Sequence, residues 1–550
     1  MSIPHNDSPH RERGGSALIV VILLALFASA IAGTMIVMSN ADHRIAANER
    51  DAERALFASK AGLNYAYYLF TEGLIQPTPQ GTAFNSYDAD VSAALEGAEF
   101  SGKIYDISAV MDRGQLYRIE STGVMNKATR TTELVFQIIP EAFKYGYTAF
   151  NQAVLHNHSG LAGPTFKIES TIFSNGTVDI PQDITLDGAV VAAGTVTMAT
   201  GSVVKKDIFA NALVNDGTVE GNVKTLTAVN SLPATAPTWD RIDALGNKYE
   251  WYNGASSPGT VSGSGTVLGT IDSYTVADGD NFVYSIFRKD GSLIADPDLN
   301  VIKFIPPPKI DYKAMKEEAD LGDPTYFNTM SEAINYFITK KVTETIAGKT
   351  VTTVKIGTPS QPEWIYVRDN LTITLDPTQP DDPSTGVIQA DGFHIEGGIY
   401  ATGSMSFNGP AYDPAIHPPT PDWYQFKINA LPYCYPALVA YPEPSTGTID
   451  TWTPNDTPPM TTGNKIEIKS NFSPHEGFWY IHGLAFSGGE IHAHHTQSSD
   501  ELIRFIGAEM AWKVHNCDYF WFTYDPAVRC TKFLVADEGT PDVVSYREVR

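Results

Sequence analysis

Twenty-three consecutive residues without a charge, Ser16 to Met38, follow Arg11-Glu12-Arg13-Gly14-Gly15 directly and lead without a break into a second, amphipathic stretch. As a helix the run is roughly 35 Å long at about 1.5 Å per residue, enough to cross the hydrocarbon of a bilayer. A secretory signal has a shorter apolar core and a small-residue cleavage site after it. Here Ala28, Ser29, Ala30 and Ala32 lie inside the run, and helix-compatible sequence continues far beyond it. Arg11 and Arg13 precede the span, which puts the N-terminus on the cytoplasmic side and the bulk of the chain outside. The expected location is therefore the inner membrane, crossed once at 16–38, with the C-terminal part facing outward.

From Asp42 to Phe70 the pattern becomes amphipathic, with Ile45, Ala52, Leu56, Leu63 and Leu69/Phe70 recurring near helical spacing between charged residues. No proline occurs between Pro9 and Pro77, so one helix over 16–71, on the order of 80 Å long, is expected. Gly33 and Gly62 are the weak points at which such a helix can bend.

Arg13-Gly14-Gly15-Ser16-Ala17-Leu18-Ile19-Val20-Val21 resembles a prepilin-peptidase site with its hydrophobic stalk. Glu49-Arg50-Asp51 and Ala55-Leu56-Phe57-Ala58-Ser59-Lys60-Ala61-Gly62-Leu63-Asn64-Tyr65-Ala66 are similar to the N-terminal domain of PilX-type minor pilins, a likeness that covers roughly residues 10–140. The resemblance implies cleavage on the cytoplasmic side after Gly15, or alternatively after Gly14, which removes residues 1–15 as a leader and leaves Ser16 at the new N-terminus. It also implies that Leu18, Val20, Leu23, Leu24, Leu26 and Phe27 pack against other major and minor pilins in a type IV pilus. Prepilin peptidase, the membrane and a tip adhesin are the further partners implied, and the pilus at the cell surface the second location. Most major pilins carry a glutamate at the fifth mature position; here it is Val20, or Ile19 for the other cut. A carboxylate inside a membrane is costly unless paired, so its loss removes both a cost and a contact to the preceding subunit. K-type minor pseudopilins of type II secretion systems share this absence and stand at the filament tip, which implies a capping or priming subunit. Without the resemblance, the segment describes an anchored exported protein that never enters a filament.

The chain is 550 residues long, which leaves two or three outward-facing modules after the helix. The predicted class is α+β: a long N-terminal pilin helix, a small antiparallel sheet, then a mainly β head, a parallel β-solenoid or alternatively a β-sandwich. A formal charge of -25 argues against nucleic acid as a partner and keeps an exposed head soluble. The sheet is expected over 98–140, where Leu134-Val135-Phe136-Gln137-Ile138 and its neighbours alternate, and should cover Ile45, Leu56 and Leu63 of the helix. Beyond Tyr147 short strands alternate with glycines, and Gly-Thr-Val recurs at 176, 194, 217, 259 and 265. The first intervals, 18 and 23 residues, suit one solenoid turn. A first solenoid part is placed at 147–230 and a second at 351–535. Between them, 231–350 reads as an insertion or lid with helical patches at 311–321 and 330–340. Twelve prolines between Pro410 and Pro459 mark an excursion over 410–460 that cannot pair as a central strand.

Three cysteines are present. Cys517 and Cys530 flank an aromatic stretch as a hairpin clamp would, which predicts a disulfide between them and leaves Cys434 as a small buried hydrophobe. His492 and His494 of His492-Ala493-His494-His495 project to one face of a strand and are the candidate metal pair, although no third ligand lies at a diagnostic spacing. Asp278-Gly279-Asp280-Asn281 and Asp381-Asp382 are acidic loops that offer calcium ligands without the spacing of a full calcium loop; no other cofactor is implied. Asp179, Asp183 and Asp187 would matter only if folded into one groove, as in enzymes acting on polysaccharides. No nucleophile elbow, phosphate loop or dinucleotide fingerprint occurs. No catalytic residue and no enzymatic activity is expected. Trp479-Tyr480 and Tyr519-Phe520-Trp521-Phe522 are assigned first to core packing and second to binding surfaces.

Overall fold

The computed structural model of the chain describes residues 14–71, 74–86, 95, 97–107, 116–156, 167–226, 248–252, 260–274, 282–287, 305, 307–320, 325–409, 415–419, 423–460, 462–470, 479–495, 503–517, 520–535 and 539–549. Contacts divide it into two units, one of Met1–Met111, Leu116–Gln137 and Asp542–Arg550, the other of Asp112–Gln115 and Ile138–Pro541.

In the first unit a single unbroken helix runs over Gly14–Thr71. Its C-terminal part lies on a five-stranded sheet of Thr82–Asn85, Glu99–Asp106, Leu116–Met125, Ala128–Pro140 and Gly539–Val549, in that order. The pairings of the first four are antiparallel, as the alternation predicts. The fifth strand is the C-terminal end of the chain, which no local pattern linked to this sheet. Arg547 ties it to Glu133 at 2.8 Å, and Lys60 of the helix reaches Glu548 at 3.7 Å.

The buried face of the helix differs from the expected one. Ala55, Ala58, Ser59, Leu63 and Ala66 are buried, whereas Ile45 is 55% exposed and Leu56 only half-buried. Small residues win because the sheet comes very close. A Cβ on Gly62 would stand 2.1 Å from Ser121 Oγ, and one on Gly123 of the sheet 1.9 Å from the Ala55 carbonyl oxygen. Gly62 is therefore a packing glycine within an unbroken helix. Thr132 Oγ1 donates to Ser59 Oγ (3.1 Å) inside this seam, and Tyr67, Phe70, Tyr117 and Phe136 close its end with ring centroids 4.6 to 5.6 Å apart.

The second unit is built on a 27-stranded sheet whose pairings are nearly all parallel. Long strands bend and take part in three successive columns of pairing. Ile503–Cys517, for example, pairs with Trp479–His495 through Trp479↔Ile503, Ala485↔Glu509 and Glu490↔Lys513. On its other side Glu509↔Tyr147 and Lys513↔Gln152 join it to Tyr147–His156. The two segments expected as separate solenoid parts thus form one ladder, with the beginning of 147–230 docked on the end of 351–535. From there the stack continues through Ile172–Ser174, Val190–Met198, Ile208–Asn215 and Val223–Leu226 to Ile271–Tyr274. Parallel pairing excludes the antiparallel hairpins of a β-sandwich for these strands.

The Gly-Thr-Val copies sort by column. Val178 pairs with Val196, so the interval of 18 residues is one step of the stack. The copies at 217 and 265 lie in a different column, where Val219 pairs with Val267. The interval of 23 residues therefore also carries the chain to another column. Thr260–Ser262, Thr266–Val267 and Ile271–Tyr274 belong to the ladder, so 231–350 is not wholly an insertion. Its helices form at Tyr312–Ala319, capped by Asp311, and Met330–Thr339, with a Thr329/Glu332 capping box. Tyr312, Met315, Ala333, Ile334 and Phe337 are buried, which covers strands at one end of the stack.

The proline-rich excursion also departs from expectation. Phe426–Asn429 pairs with Gly392–Ala401 on one side and Trp479–His495 on the other, and Leu438–Ala440 does the same in the next column. Both strands occupy proline-free stretches, and the prolines lie in the connections, where no ladder N–H is required.

Inward positions are filled by Val178, Val196, Leu213, Ile481, Phe505 and Phe522, all essentially inaccessible. At the corner between the first two columns Gly483 pairs with Gly507, and the backbone of Gly507 has φ +144°, a conformation open to glycine. A Cβ there would stand 1.9 Å from the Gly483 carbonyl oxygen. Gly507→Ala is accordingly expected to destabilise this unit by about 3 kcal/mol or more, read as a lowered denaturation midpoint with an unchanged slope.

Candidate functional site

From Leu18 to Ala46 the long helix is exposed at every position, and the candidate packing residues Leu18, Val20, Leu23, Leu24, Leu26 and Phe27 are 54 to 68% accessible. Each such side chain moved out of water gains roughly 1.5–3 kcal/mol, so this surface requires lipid or protein around it. Its hydroxyls are compatible with that environment: Ser29 Oγ donates to the Ala25 carbonyl (2.8 Å) and Thr34 Oγ1 to the Ala30 carbonyl (2.9 Å). It is one helix long and apolar enough to cross a membrane. The apolar surface reaches past the 16–38 run to the exposed Ile45 and Phe57. Gly14 and Gly15 form the start of the helix with Ser16, while residues 1–13 lie outside the described residues.

Cys517 and Cys530 do not pair. Cys530 is bonded to Cys434, with Cα atoms 5.2 Å apart, and Cys517 is a buried free thiol. The hairpin premise fails because Phe520–Tyr524 runs parallel to Ile503–Cys517, pairing with its first residues. Cys517 is at the far end of that strand. Lys532 N donates to the Cys434 carbonyl (2.7 Å), which holds the Cys434 and Cys530 segments together. The bond closes a loop of 96 residues, worth about 4–5 kcal/mol by chain entropy. Peptide mapping without reduction should recover Cys434 linked to Cys530, with Cys517 alkylated slowly in the folded chain and rapidly after denaturation; a Cys517-Cys530 peptide would contradict this arrangement.

The histidine pair is also redrawn. The His494 side chain lies outside the described residues, but His492 meets two groups that no short spacing connects to it. Register sets His515 beside His492, and Cys517 follows two residues along the same strand face. Their ligand atoms lie within 4.8 Å of one another, and these three could hold a metal. On the same face Lys465, Lys513 and Glu467 surround Glu490. A hydrogen bond with His515, aided by Lys513 and Lys465, brings the Glu490 carboxyl down to about 2 against the opposing effect of burial.

The other acidic candidates are occupied by protein donors. Asp381 binds Lys341 at 2.6 Å and the Gln389 N–H at 2.8 Å, and Asp382 accepts from the N–H and hydroxyl of Ser384. Asp278-Gly279-Asp280-Asn281 lies outside the described residues. Asp179 accepts from Gln152, Asp187 pairs with Lys205, and Asp183 occupies a turn at φ 63°. Trp479 stacks on Phe426 at 3.9 Å in the core, and Phe522 is fully buried.

Glu509 is an unanticipated buried acid. It is inaccessible, accepts from Asn516 Nδ2 (2.7 Å), and its Oε1 has no partner among the described residues. Burial pushes its pKa up to about 8. Below the unfolded pKa of about 4.3 both states are protonated, and between there and about 8 the folded state holds the extra proton, so stability falls as pH rises through this window. Glu509→Gln should raise the melting temperature by a few degrees at pH 8.5 and leave it nearly unchanged at pH 4, measured by calorimetry.

No protein-family model matches the chain, and no curated protein matches it. Among solved structures it is similar to the crystal structure of the competence-associated pilin ComZ from Thermus thermophilus, with 11% identity over 91% of this chain and 97% of that chain and a TM-score of 0.25. A likeness of that strength carries no argument about fold or function.

Proposed function

We propose that this protein is a pilin-like filament subunit of the PilX-type minor class, whose stalk helix is stored in the inner membrane and then packs among the helices of other pilins. The observation that carries this reading is the division of labour along one unbroken helix. Residues 18–46 expose nearly all their side chains, and the next turns bury a stripe of small residues against an antiparallel sheet. A secretory signal needs no folded sheet on the same helix. Transfer from lipid to a helical bundle exchanges one apolar surrounding for another, so it proceeds at little net cost.

In this reading prepilin peptidase cuts after Gly15, or alternatively Gly14, and Val20 leaves the tip-facing end without a carboxylate to satisfy. The second unit is a β-solenoid displayed as a binding head that meets a tip adhesin, another surface or a neighbouring cell, and catalysis plays no part. Its parallel ladder supports the solenoid assignment, since each strand pairs with the strands of neighbouring turns.

N-terminal sequencing after co-expression with a prepilin peptidase is expected to give a chain beginning at Ser16 or Gly15. Retention of residues 1–15 would instead favour a membrane-anchored surface-binding protein or polysaccharide-active enzyme. Leu24→Asp places a charge in mid-span at a cost of about 2.5–3.5 kcal/mol and should abolish filament priming; normal piliation with that variant would sink the filament role.

A further inference from the structure

We infer that His492, His515 and Cys517 form a binding site for a borderline-soft divalent metal ion, with zinc as the expected occupant, which clamps adjacent strands of the β ladder. Cys517 Sγ stands 3.6 Å from His492 Nε2 and 3.5 Å from His515 Nε2. A tetrahedral zinc with metal–sulfur and metal–nitrogen bonds of about 2.3 and 2.0–2.1 Å separates its sulfur and nitrogen ligands by about 3.6 Å. The side chains already have that spacing.

The surroundings suit ligation as well as the spacing does. Both imidazoles turn Nε2 toward the sulfur, and both have a carboxylate behind Nδ1: Glu490 Oε1 lies 3.3 Å from His515 Nδ1, and Glu467 Oε1 lies 3.9 Å from His492 Nδ1. The Glu490 contact is a hydrogen bond that fixes the His515 tautomer with Nε2 free to ligate and raises its basicity, while Glu467 stands beyond hydrogen-bond distance and supplies a favourable charge beside His492. The two rings are stacked at 4.4 Å with planes 3° apart, so modest rotation brings both nitrogens to one ion. His156, paired in register with Cys517, sets its ring 6.0 Å from that of His515 and extends the imidazole cluster. A thiolate with two imidazoles selects zinc-like ions over the hard cations that acidic loops attract. On binding, the Cys517 thiol gives its proton to solvent as the sulfur–metal bond forms.

The burial of Cys517 separates this site from a nucleophilic cysteine, which would have to present its sulfur to a substrate. The disulfide between Cys434 and Cys530 leaves Cys517 as the single thiol of the chain, so its reactivity reports on this site alone.

The test uses the full-length chain in detergent with its disulfide intact. Titration with cobalt(II) as a spectroscopic stand-in should saturate at one equivalent with a sulfur-to-cobalt charge-transfer band. Cys517→Ser should remove the band, and His515→Ala should weaken binding at least tenfold, with His43→Ala on the stalk as the control. Zinc added to the unaltered protein should slow modification of Cys517 by a thiol reagent at least tenfold, a measurement that needs no variant. An unchanged thiol rate in zinc, or equal cobalt affinity with and without Cys517, overturns the assignment.

Discussion

The parallel backbone pairing between Ile503–Cys517 and Tyr147–His156 is the contact on which the second unit depends. Strands before it come from the C-terminal half of the chain and strands after it from residues 147–274, so each group would end in an open edge without this junction. Around it Thr523 donates to Glu169, 354 residues away, and Tyr524 Oη donates to the Phe143 carbonyl, 381 residues away. Contacts this remote in sequence carry a loop-closure cost that pairing between neighbouring strands of the chain avoids.

The first unit meets a similar constraint by a different route. Its sheet needs the C-terminal strand Gly539–Val549, so residues at both extremes of the chain finish one small module. The helix then divides along its length. Where the sheet covers it, side chains shrink to alanine, serine and glycine so that backbones can approach. Where no partner of this chain covers it, they are large and apolar. That contrast gives the exposed half its meaning, since a helix meant for water would not keep Leu24 and Phe27 uncovered over so many turns.

The stack also explains how chemistry is assembled on this molecule. Residues in register on paired strands of the ladder become neighbours whatever their spacing in sequence. His492 and His515 meet in this way, and so do Glu490 and Lys513. The same geometry separates groups that look adjacent: Asp179 and Asp187 take different partners, Gln152 and Lys205, and Cys517 is carried away from Cys530 because the strand that follows it pairs with the first residues of Ile503–Cys517 and not with its end.

Local sequence determined the long helix, the antiparallel alternation after it, the two capped helices near 312 and 330, and the strand texture of the head. Each depends on periodicity or capping within a few residues, where the side chains that decide the outcome are close in the chain. The sequence also marked Gly62 and His492 as positions of interest without showing what they touch. Tertiary structure alone decided that Cys434 is the partner of Cys530, that strands arise between the prolines of 410–460, that residues 260–274 join the ladder, and that His515 and Cys517 complete the group around His492. These follow from the register of a parallel stack and from junctions hundreds of residues apart, which local propensity does not encode.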